Sequence, residues 1–105
     1  MFETPLTRAE VFHRLHEIEP ELRALGVARL ALFGSVLRDE ARAESDVDLL
    51  LQFAQGKKSY AAFLAIGELL EARLGRRVDL VTTEALSPFI GPRITAEAQD
   101  VIRAA

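Results

Sequence analysis

Phe33-Gly34-Ser35-Val36-Leu37-Arg38, then Ser45-Asp46-Val47-Asp48-Leu49-Leu50-Leu51, is the stretch on which the fold turns. Upstream of it, Val27 to Phe33 is a short apolar strand signal halted by Gly34. Downstream, Asp46–Phe53 is a second strand, almost wholly apolar after Asp48, as expected when both faces are covered. Between the two there is room only for a helical turn around Val36–Asp39 and a charged loop through Glu44. So short a link favours an antiparallel pair, which brings Gly34 and Ser35 to Asp46 and Asp48.

Working outward, Thr7-Arg8-Ala9-Glu10 is a capping box. Behind it Val11, Phe12, Leu15, Ile18, Leu22 and Leu25 recur at helical spacing, with Pro20 kinking or restarting the helix and Gly26 ending it. After the second strand, Gly56-Lys57-Lys58-Ser59 makes a turn with Ser59 as N-cap. Tyr60, Phe63, Leu64, Gly67, Leu70 and Leu74 mark an amphipathic helix closed by Gly75. Arg77–Thr82 is a third strand carrying Asp79, and the tail after Pro88 and Pro92 reads as a last helix with the stripe Ile94, Ala98, Val101 and Ile102. Strands two and three flank one helix, so they should run parallel through a right-handed crossover. The expectation is an α/β (α+β) fold, a small mixed sheet flanked by helices, in one domain spanning residues 1–105.

Composition narrows the class. Half the residues are hydrophobic and 28% are charged, a globular balance. A net charge of −3 speaks against broad nucleic-acid affinity, which needs clustered cations. Without cysteine there is neither a disulfide framework nor a thiolate zinc site. No apolar run is long enough for a membrane span, and an acidic start at Glu3 does not resemble a signal peptide, so a soluble cytoplasmic protein is expected.

The chemistry lies in the acids. Asp46 and Asp48 are two apart on a strand and share a face. Asp79 sits between Val78 and Leu80, inside a strand where an unpaired acid is costly. Three clustered carboxylates raise one another's pKa unless cations neutralise them, and oxygen-only ligands favour Mg²⁺ or Mn²⁺. Gly34 lets the backbone approach a phosphate closely, Ser35 offers N–H and hydroxyl donors, and Arg38 is placed to reach the same anion.

Leu32-Phe33-Gly34-Ser35-x-x-Arg38 and Ser45-Asp46-x-Asp48-Leu49-Leu50 together resemble the signature of the DNA polymerase beta-like nucleotidyltransferase superfamily. The small size resembles its minimal nucleotidyltransferase (MNT) branch, from about Leu30 to Val81, and Leu86-Ser87-Pro88-Phe89-Ile90 is similar to that branch's tail. Leu37 departs from the small residue often found before the arginine.

By the resemblance, Asp46, Asp48 and Asp79 are the catalytic, metal-binding acids for two Mg²⁺ ions, and Gly34 and Ser35 form the nucleotide-phosphate turn. Asp79 is the implied candidate for general base. Many members of the branch are antitoxins paired with a HEPN-domain ribonuclease toxin, which implies transfer of AMP from ATP to a toxin tyrosine. The chain is too short to carry an acceptor-binding domain of its own, so a partner would bring the acceptor. Two other readings stay open: an antitoxin that neutralises by binding alone, and nucleotidyl transfer to a small molecule or RNA held by a separate chain.

Overall fold

Thr7 caps the first helix as its sequence predicts: its hydroxyl oxygen accepts from the Glu10 N–H at 3.1 Å while the Thr7 N–H donates to the Glu10 carboxylate at 3.2 Å. The computed structural model describes residues 5–103, so Glu3 lies outside the described residues. Within them the chain runs α1 (Arg8–His16), α2 (Glu19–Ala24), β1 (Val27–Phe33), α3 (Gly34–Leu37), β2 (Val47–Phe53), α4 (Tyr60–Leu74), β3 (Val78–Thr82), a 3-10 turn (Thr83–Ala85), α5 (Gly91–Glu97) and β4 (Gln99–Ile102). Pro20 falls in the first turn of α2, where its missing N–H costs nothing, so it restarts the helix rather than kinking it. Ser59 caps α4, and Gly75 ends it in the left-handed conformation, φ +66°.

The four strands form one mixed sheet in the order β3-β2-β1-β4. β1 and β2 are antiparallel, with Phe33 opposite Asp48. β2 and β3 are parallel, with Asp48 opposite Asp79. Both pairings are those that the link lengths predict.

Two expectations need correction. The tail is not one helix. α5 stops at Glu97, Ala98 is extended (ψ 139°), and β4 pairs antiparallel with β1. Three contacts explain the switch: Val101 and Ile102 are buried, the Arg29 guanidinium meets Asp100 at 2.6 Å, and the Val101 carbonyl lies 2.8 Å from the His16 ring. Both buried residues are β-branched, and the free edge of β1 offers them a ladder that a surface helix does not. On α4 the buried stripe is Ile66, Leu70 and Leu74, whereas Tyr60 and Leu64 face solvent, 77% and 47% exposed.

The sheet is also covered less evenly than a strand apolar throughout suggests. Val47, Leu49, Leu51 and Phe53 join Val11, Leu15 and Leu22 from α1 and α2 and the α4 stripe in the main core. Asp48, Leu50 and Gln52 point to the opposite face, where Leu50 is buried outside that cluster and Gln52 is exposed. α1, α2 and α4 hold one face, and Asp48 rises from the other. Among the described residues no helix is long and apolar enough to cross a membrane.

Candidate active site

Three chain segments meet at one edge of the sheet. β1 delivers Gly34, β2 delivers Asp48 one residue inside its start, and β3 delivers Asp79 directly across from Asp48. Gly34 is required there for two reasons. Its φ is +78°, and a Cβ added to it would lie 2.0 Å from Asp48 Oδ2. The turn therefore presses its backbone against the carboxylate, and no side chain fits between them.

Asp48 is half-buried, and its pKa is pushed up to about 6. Burial is the largest cause, followed by the charges of Asp79 and then Asp46. The mutual repulsion expected from the sequence is thus expressed at the central acid. Asp46, just before β2, is exposed, and its Oδ1 is 3.8 Å from Arg77 Nε. Asp79 is exposed as well. The sequence reading gave it the cost of a charge inside a strand, but β3 is a sheet edge, so water reaches it. Among the described residues no three Asp, Glu or His side chains close into a formed metal shell. The three acids share an edge without converging as tightly as their spacing suggests.

The donor chemistry nevertheless fits a hard divalent cation. The candidate donors are all carboxylate oxygens, and the charge of Asp48 is opposed both by burial and by its two neighbours. A cation there would relieve each of those penalties.

The anion-binding half is where the structure adds most. Ser35 is half-buried in the first turn of α3, beside Gly34. Arg38 does reach an anion at the turn, and that anion belongs to the chain. The Gly34 N–H donates to Glu97 Oε1 at 2.9 Å, and Arg38 Nη1 donates to both Glu97 oxygens at 2.9 and 3.0 Å. Arg38 Nε also donates to Glu40 at 2.8 Å. The Gly34 N–H, followed by Arg38, holds the Glu97 carboxyl below its usual range. Sequence reasoning missed Glu97 because it read Glu97 and its neighbours as one continuous helix. Only the β1–β4 pairing, with Gln99 opposite Leu32, brings it to Gly34.

Comparison with known proteins gives the family and the fold. The family model for the nucleotidyltransferase domain matches residues 15–101. Protein adenylyltransferase MntA of Thermococcus cleftensis is 40% identical over 93 residues, covering 88% of this chain and 93% of that protein. A solved structure provisionally called a minimal nucleotidyltransferase is 35% identical, with a TM-score of 0.70, and the match covers 88% of this chain and 89% of the other. The fold is also shared with the complex of a tri-AMPylated Shewanella oneidensis HEPN toxin and its MNT antitoxin, at 19% identity and a TM-score of 0.64, covering 90% of this chain and 73% of that one.

Proposed function

The chain belongs to the nucleotidyltransferase domain family, and within it we propose an antitoxin that transfers AMP from ATP to a tyrosine of a HEPN-domain toxin. The observation that carries this reading is the junction of Gly34, Asp48 and Asp79: an anion-accepting turn pressed against a pair of facing acids on adjacent strands. The relative's name, protein adenylyltransferase, supports AMP as the group moved, and the AMPylated toxin in the Shewanella complex supports a HEPN protein as acceptor.

In the proposed mechanism, the Gly34 N–H, Ser35 and Arg38 hold the terminal phosphates of ATP, supplying backbone, hydroxyl and guanidinium donors to its anionic oxygens. Asp46, Asp48 and Asp79 would hold Mg²⁺, which when bound offsets phosphate charge and favours the ionised acceptor oxygen. Asp79, exposed on the edge strand, is open to an incoming protein and would take the proton of the acceptor hydroxyl. The acceptor oxygen forms a bond to the α-phosphorus, the bond from that phosphorus to its bridging oxygen breaks, and pyrophosphate leaves.

Incubation of a HEPN-domain toxin with α-³²P-ATP and Mg²⁺, with and without this chain, tests the reading. The parent chain should label it, and Asp46→Ala and Asp48→Ala should not, while both variants keep the parent's circular dichroism. Undiminished labelling by either variant would refute the assignment.

A further inference from the structure

Resting on that nucleotide reading, we propose that Glu97 is an internal occupant of the triphosphate seat, a carboxylate that ATP must displace from Gly34 and Arg38 before it can bind. Two of the three donor groups assigned to the terminal phosphates are held by Glu97: the Gly34 N–H at 2.9 Å and Arg38 Nη1 at 2.9 and 3.0 Å. They open on a cleft of about 290 Å³ between the end of β1 and α5, whose walls include Phe33, Ile94, Arg93 and Glu97. Arg93 adds a second guanidinium charge that favours the ionised carboxylate. A backbone N–H and two guanidiniums therefore act on Glu97, while Arg38 also holds Glu40 through Nε, so this arginine stays paired with carboxylates wherever no phosphate takes their place.

Triphosphate and Glu97 cannot share these donors. A carboxylate left beside phosphate oxygens would repel them, and its charge already adds to the negative potential felt by Asp48. Displacement is feasible because the Glu97 side chain is 37% exposed and sits on the last residue of α5, next to the extended Ala98. In the absence of nucleotide the same contact keeps the arginine and the turn paired. Glu97 thereby sets a threshold for nucleotide affinity, and the threshold acts on the terminal phosphates alone.

Isothermal titration of the full chain with ATP and with AMP, both in Mg²⁺, tests this on the parent, Glu97→Gln and Glu97→Ala. Removing the charge should tighten ATP binding roughly fivefold or more, from the loss of a competing charge-assisted contact at a partly exposed site. AMP lacks the terminal phosphates, so its affinity should stay at the parent value. Should Glu97 instead serve to brace Arg38 for catalysis, ATP binding would weaken in both variants, and that result overturns the proposal. Equal affinity across the three proteins also overturns it. Failure of all three to bind ATP would remove the nucleotide reading and this inference together.

Discussion

At Gly34 an added methyl group would meet Asp48 Oδ2 at 2.0 Å, in a backbone conformation that side chains rarely adopt. Gly34→Ala should therefore lower the urea midpoint, at a cost of about 1–3 kcal/mol, and abolish AMP transfer. An unchanged midpoint would show that the turn and the acid are not pressed together. Asp48 gives a second residue-scale prediction. In the folded chain its pKa is raised to about 6 from 3.8, so its contribution to stability is complete below the unfolded value and is lost as pH rises through about 6. Without divalent cations, Asp48→Asn should be more stable than the parent at pH 8 by about 1 kcal/mol, an amount discounted for solvent screening, and lose that advantage by about pH 4. Thermal melts across that range check it, and a variant less stable than the parent at pH 8 would contradict it. Stability and function would then be opposed at one side chain. At this scale the sequence was legible where function forces an anomaly. A glycine ended a strand and acids stood among apolar residues, so Gly34, Asp46, Asp48 and Asp79 could be picked out. The exposure of Asp79 could not, because an edge strand and a central strand of five residues look alike. Glu97, 63 residues from Gly34, left no local mark at all.

Among the elements, those with a boundary signal were readable. The capping box opened α1, Ser59 and Gly75 bracketed α4, and the short link between β1 and β2 dictated their antiparallel pairing. β4 was not readable. Its four residues are too few to display alternation, and Ile94, Ala98, Val101 and Ile102 happen to repeat at helical spacing. What decides the matter is tertiary: the free edge of β1 and the buried slots for Val101 and Ile102. Ile102→Ala should therefore destabilise the chain by about 2–4 kcal/mol, the cost of a cavity in the core, measured by denaturant unfolding. A cost well below 1 kcal/mol would instead suit the partly exposed stripe of a surface helix. Because β4 also carries Glu97 toward Gly34, the same substitution is expected to disturb nucleotide affinity, which the misread helix would not.

Across the whole molecule, α1, α2 and α4 pack on one face of the β3-β2-β1-β4 sheet and Asp48 rises from the other, with Asp79 beside it on an outer strand. Phe89 and Ile90, 91% and 54% exposed, lie in the segment leading into α5, the far wall of the cleft that holds Glu97. In the proposed reaction the acceptor protein would meet the surface around Asp79 on β3. A chain acting by occupancy alone would need the surface but not the acids, so the decisive comparison is between modification and binding. Intact-mass spectrometry of a HEPN-domain toxin, taken after incubation with ATP, Mg²⁺ and this chain, separates them most directly. Mass increments of whole AMP groups are expected with the parent chain and none with Asp48→Asn. An unmodified HEPN protein that is nonetheless held and silenced by the parent chain would contradict it.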